Sequence, residues 1–124
     1  MAIPFTVNGT SLITRPEEHG WVDRPVLGYD GSAHPVYPFS REYELNWGFL
    51  DPDTFQQLVR FYTLTSTGTN AVVALPGYGV TIDPDNFDNC FVNYTGCVVA
   101  EPQYKGFSNG YYKSVKLLIV GIRV

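Results

Sequence analysis

Tyr43-Glu44-Leu45-Asn46-Trp47-Gly48-Phe49-Leu50-Asp51-Pro52-Asp53-Thr54-Phe55-Gln56-Gln57-Leu58-Val59-Arg60-Phe61-Tyr62 contains a strand, a cap and a helix in one run. Up to Phe49, large apolar residues alternate with small or polar ones, which puts Tyr43, Leu45, Trp47 and Phe49 on one face and Glu44, Asn46 and Gly48 on the other. This is the pattern of a half-buried strand. Asp51-Pro52-Asp53 then supplies an acceptor for orphan backbone N–H groups, a proline suited to the first helical position, and negative charge at the positive end of the helix dipole. Phe55, Leu58, Val59 and Tyr62 follow at i, i+3, i+4 and i+7, with Gln56, Gln57 and Arg60 between them. A helix over 51–63 is therefore expected to lay this stripe on the aromatic side of the strand. Leu45, Trp47, Phe49, Phe55, Leu58, Val59 and Tyr62 make up the expected core. Position 54 is Thr rather than Glu or Gln, so a reciprocal capping box is absent.

The rest of the chain reads as short strands and turns. Of 124 residues, 44% are hydrophobic and 16% charged, which suits one globular domain over 1–124, and the 12 Gly, 9 Pro and 15% aromatic content favour β structure over further helices. Asn8-Gly9 and Asn109-Gly110 are hairpin turn signals. Ala71–Leu75 reads as a short strand ended by Pro76-Gly77, and the segment from Cys90 to Glu101 as β-rich with Gly96 at a bulge. Tyr111 to Val124 reads as a long final strand, apolar on both faces from Leu117 to Val120 and hence central. The expected fold class is mostly β (α+β), a β-sandwich or barrel flanked by one short α-helix.

Residues 15–40 break this regularity. Pro16, Pro25, Pro35 and Pro38 interrupt them, no periodicity persists, and they carry Trp21, Tyr29, Tyr37 and Phe39. Long irregular segments in compact domains are usually functional or ordered by a partner, so this arm is a candidate contact surface. The polar run Thr63–Asn70, with Leu64 and Thr67, reads as an exposed connection.

Chemistry-bearing patterns are sparse. Cys90 and Cys97 lack the close pairing of a zinc site, His19 and His34 are far upstream, and two buried thiols are expected, with a local disulfide as the alternative. Asp83, Asp85 and Asp88 lack the alternating positions and closing glutamate of a calcium loop, so a solvated turn is expected. Glu17 with Glu18 and Asp51 with Asp53 are the remaining acid pairs, the second already engaged in starting the helix. No phosphate loop, nucleophile elbow or metalloprotease pair is present, so no catalytic, cofactor-binding or metal residues are assigned. The net charge of −4, with 8 Lys plus Arg and no basic stripe, argues against holding a phosphate backbone. The start Met1-Ala2-Ile3-Pro4-Phe5-Thr6 lacks the pattern of a signal peptide, no window has the apolar length of a membrane span, and a cytoplasmic site of synthesis is expected. Asn8-Gly9-Thr10 and Asn93-Tyr94-Thr95 then read as a turn and a strand rather than glycan acceptors.

The run Arg41 to Tyr62, a strand of aromatic and aliphatic residues leading through Asp51-Pro52-Asp53 into Leu58-Val59-Arg60-Phe61-Tyr62, resembles a segment of small structural proteins of tailed bacteriophages. Tyr29-Asp30-Gly31-Ser32 and the closing apolar strand fit the same pattern. The nearest families are tail-tube-like proteins, including the ring-forming domains of distal tail and baseplate hub proteins. The resemblance implies a non-enzymatic virion subunit that joins copies of itself in a hexameric ring and docks on neighbouring tail proteins. Trp21, Tyr29, Tyr37, Phe39, Leu64 and Thr67 would then form the subunit interface, and DNA would pass through an acidic lumen without specific binding. The alternative is a small β-sandwich module that binds a glycan or a protein.

Overall fold

The structure is a computed structural model that describes residues 5–79 and 90–123. In chain order its elements are β1 (Thr6–Val7), β2 (Thr10–Ser11), β3 (Glu18–Trp21), β4 (Gly28–Tyr29), β5 (Pro35–Val36), β6 (Arg41–Leu50), α1 (Pro52–Ser66), β7 (Ala71–Pro76), β8 (Phe91–Val99), β9 (Gly106–Ser108) and β10 (Tyr111–Ile122). The possible calcium turn at Asp83, Asp85 and Asp88 lies outside the described residues.

Both Asn-Gly pairs make hairpins. Asn8 and Gly9 take φ of 51° and 83° between β1 and β2, and Asn109 and Gly110 take 54° and 81° between β9 and β10. Positive φ at both central residues is what a two-residue hairpin turn with the twist of its strands requires. Asn8 Oδ1 also accepts a hydrogen bond from the Val72 N–H at 2.8 Å, which ties the first hairpin to β7.

The strands pair antiparallel in the order β2-β1-β7-β8-β10-β6-β3, with β9 beside β10, and β4 with β5 forms a separate ribbon. β8 belongs to two layers: Phe91 to Cys97 pair with β7, while Val98 and Val99 pair with Val120 and Ile119 of β10. The change of layer occurs at Gly96, φ 72°, where the β7–β8 register slips, and at Gly121, φ 72°, where the β10–β6 register slips. A Cβ built on Gly121 would lie 3.7 Å from the Gly96 carbonyl, so the two bulges stand back to back. Folded in this way, the sheet closes Val7, Val73 and Leu75 of one layer over Leu45, Trp47, Leu117 and Ile119 of the other. The fold is mostly β, sandwich-like, with one helix. β10 is central, as its apolar run predicts.

Asp51 caps α1 as expected, its carboxylate accepting from the Thr54 N–H at 3.3 Å and the Thr54 hydroxyl at 2.6 Å. The hydroxyl of Thr54 also lies 2.9 Å from that of Thr14. The helix runs on to Ser66, three residues beyond the expected 63, and so absorbs the first part of the polar run. Its buried face is Thr54, Gln57, Leu58, Phe61 and Thr65, one step round from the predicted stripe. Val59 is consequently exposed, and Phe55 and Tyr62 pack only at the margin of the core. The rotation follows from hydrogen bonds that make buried polar groups acceptable. Gln57 bonds the backbone of Ser11 and Ile13, and the Thr65 hydroxyl bonds the N–H and carbonyl of Val99 at 3.1 and 3.2 Å.

Phe49 is the second correction. Tyr43, Leu45 and Trp47 are buried as the alternation predicts, but Phe49 is 64% exposed and Leu50 is 1% exposed. Opposite Gly48 stands Ser114, whose φ of 52° is left-handed. Beyond Gly48 the alternation of β6 breaks, and its inward-facing residue is Leu50.

Candidate functional site

The arm over 15–40 divides into two parts. β3 joins the edge of the main sheet, pairing Glu18, His19, Gly20 and Trp21 with Asn46, Leu45, Glu44 and Tyr43. Trp21 thus stands on the edge strand of the main sheet, partly buried. Its Nε1 donates to the Pro76 carbonyl at 3.1 Å, and its ring meets those of Tyr43, Tyr78 and Tyr94 edge to face at 5.0, 5.5 and 5.6 Å. Packing part of such a large ring against the core, with its one donor satisfied, stabilises the sandwich.

The second part is the β4–β5 ribbon, whose turn is held by Asp30. Its Oδ1 accepts from the N–H groups of Ser32 and His34 at 2.8 and 3.0 Å, and Ala33 takes φ 65°. Two short strands cannot bury their own apolar side chains. Leu27, Tyr29 and Phe39 are accordingly 67%, 71% and 83% exposed, with Val26, Val36 and Tyr37 also open to solvent. Contiguous exposed apolar residues on a small domain mark an interaction surface. Guanidinium groups brace its base: Arg24 lies 4.8 Å over Tyr37 and donates to the Pro38 carbonyl at 2.8 Å, and Arg123 lies 5.1 Å over Phe39. Arg41 covers Tyr78 at 3.6 Å. The buried Nε atoms of Arg24 and Arg41 have no hydrogen-bond acceptor among the described residues.

Of the expected interface residues, the structure brings Tyr29, Tyr37 and Phe39 together on or beside this ribbon. Leu64 and Thr67 are exposed at the C-terminal end of α1. A groove of about 500 Å³ is lined by Ser40, Asn70, Thr95, Gly96, Gly121 and Arg123, and none of the expected interface residues lines it. A second exposed aromatic group lies elsewhere on the domain. Phe49, Tyr104, Phe107 and Tyr111 lie at the opposite end of the β6–β10 ladder, around the stacked pair Phe55 and Tyr112, whose ring centroids are 4.0 Å apart. The Asn109-Gly110 turn signals the hairpin that carries Phe107 and Tyr111.

Groups able to do chemistry are mostly engaged in structure. His19 Nδ1 lies 2.6 Å from the Tyr43 hydroxyl. Burial, with a smaller contribution from the Arg15 charge, holds the His19 pKa below its usual value, and burial raises that of Tyr43. Cys90 and Cys97 are both buried, and burial pushes the Cys97 thiol up. Glu17 accepts a hydrogen bond from the Gly48 N–H. Among the described residues no three His, Cys, Asp or Glu side chains are grouped to hold a metal ion, and no helix is long and apolar enough to cross a membrane. No family model, curated protein or solved structure matches this chain.

Proposed function

We propose that this chain is a non-enzymatic structural subunit of a bacteriophage tail, joining copies of itself into a hexameric ring at the tail tube, distal tail or baseplate. The observation that carries the reading is the β4–β5 ribbon, which holds Leu27, Tyr29 and Phe39 in solvent on a braced base. An isolated subunit gains nothing from that exposure, whereas a neighbour that covers the ribbon recovers roughly 25 cal/mol for each Å² of apolar surface removed from water. A surface that meets a different patch on the next copy closes into a ring when the rotation permits.

The acidic balance suits a lumen through which DNA moves without being retained. Assembly would take place in the host cytoplasm, and the mature location would be the virion tail, in contact with neighbouring tail proteins. The test is solution mass by light scattering across a concentration series, with imaging of any large species. A discrete mass near six subunits, seen as a ring and lost in Tyr29→Ser/Phe39→Ser, is the expected result. A wild-type chain that remains monomeric throughout overturns self-assembly.

A further inference from the structure

The solvent face of the main sheet carries a polar cleft of about 670 Å³ that the assembly reading does not use. Its wall is a row that runs in register across β3, β6 and β10 and on to an isolated bridge: Glu18 opposite Asn46, Asn46 opposite Lys116, and Lys116 opposite Gln103. Directly paired residues share a face, and at ordinary strand spacing the row spans about 14 Å. The backbone of Gln103 and Lys116 exchanges hydrogen bonds of 2.9 and 2.8 Å, so the last member is held as firmly as the rest.

Beside the row the floor drops, because Gly48 and Ser114 stand there with little side chain. The Glu17 carboxylate reaches over this spot, where its Oε2 accepts the Gly48 N–H and would lie 2.9 Å from a Cβ at position 48. Tyr104 and Lys105 also line the cleft. Tyr104 is half exposed, yet its ring is fixed by edge contacts with Phe55 at 5.4 Å and Tyr112 at 4.9 Å. It therefore offers a rigid aromatic surface whose ordering is complete before any ligand arrives.

We propose that this cleft binds a neutral oligosaccharide. Sugar hydroxyls are both donors and acceptors, and the row presents a carboxylate, two amides and an ammonium in fixed order to meet them. The C–H face of a sugar ring suits an aromatic surface such as Tyr104. Glu17, Glu18 and Glu44 face Lys105 and Lys116, with Lys116 Nζ 3.7 Å from Glu44, so the charges nearly balance and a polyanion gains little. No arginine lines the cleft to fork onto a phosphate or sulfate. Its size falls within the usual range of small-ligand sites.

The test is an NMR titration of the isotope-labelled full chain with neutral trisaccharides of glucose, galactose and N-acetylglucosamine, and in parallel with a sulfated disaccharide and inorganic phosphate. At least one neutral sugar is expected to move the amide signals of Asn46, Gln103–Lys105 and Ser114–Lys116, saturating in the range of about 0.1–10 mM. Gln103→Ala should weaken it roughly fivefold to tenfold, and Asn46→Trp, which fills the cleft from its solvent side, should abolish it. Unchanged melting temperatures would show that both variants keep the fold. A flat response to all three neutral sugars, shifts confined to another surface, binding of the anionic probes alone, or full binding by Asn46→Trp would each overturn the proposal. The result is independent of whether the chain forms rings.

Discussion

Gln57 Nε2 donates to the carbonyl of Ser11 at 2.9 Å, across 46 positions of sequence, and the same amide's Oε1 accepts from the Ile13 N–H at 2.9 Å. One side chain thus stitches the helix to the strand end that leaves the first hairpin. Gln57→Ala leaves a backbone donor and acceptor without partners in a half-buried seam and is expected to cost about 1–3 kcal/mol. Chemical denaturation with an unchanged m-value would check this, and Gln57→Glu should also destabilise, because it cannot donate to Ser11.

His19 predicts a pH dependence. Its folded-state pKa lies below the ordinary 6.5, so the unfolded chain binds a proton more readily than the native one. Stability is therefore undiminished above 6.5 and falls as pH drops through that value toward the lowered native one. Melting temperature followed from neutral pH to about pH 5 should decline in the wild type and decline less in His19→Gln. Asp51 acts elsewhere: the Thr54 hydroxyl chiefly holds its pKa below 3.8, so its cap stabilises above that range and is lost only as pH falls through the lowered value.

The back-to-back bulges make Gly96 and Gly121 conformational requirements rather than spacers. Gly121→Ala meets the Gly96 carbonyl at an ordinary 3.7 Å, so the cost is set by φ of 72° and should be about 1–2 kcal/mol. Gly96→Ala, also at φ 72° with open space around it, should cost a similar amount. A neutral result by thermal denaturation at either position would show that the corner tolerates an ordinary residue.

The ribbon and the core should respond oppositely to truncation. Phe39 is 83% exposed, and Phe39→Ser is expected to change monomer stability by no more than about 0.5 kcal/mol while weakening association. Leu58 is fully buried under the sheet, and Leu58→Ala should cost about 2–5 kcal/mol. Denaturation and light scattering on the same samples separate the two effects.

The features legible in the chain were those decided locally. Asp51 and Pro52 start a helix, Asn8-Gly9 and Asn109-Gly110 turn hairpins, and Gly96 makes a bulge, since each depends on neighbours within about four positions. The alternation from Tyr43 to Trp47 likewise placed the inward face of β6 correctly. Tertiary structure alone decided what came next. A break in the alternation of β6 exposed Phe49 and buried Leu50, hydrogen bonds from the first hairpin and from β8 rotated α1 to bury Gln57 and Thr65 instead of Val59, and pairing with β6 set Trp21 against the core. The cleft row of Glu18, Asn46, Lys116 and Gln103 was equally hidden, because strand register joins residues that no local pattern connects. Propensity and periodicity act along the chain, whereas burial and hydrogen-bond satisfaction are settled between segments, and where the two conflict the packed interior prevails.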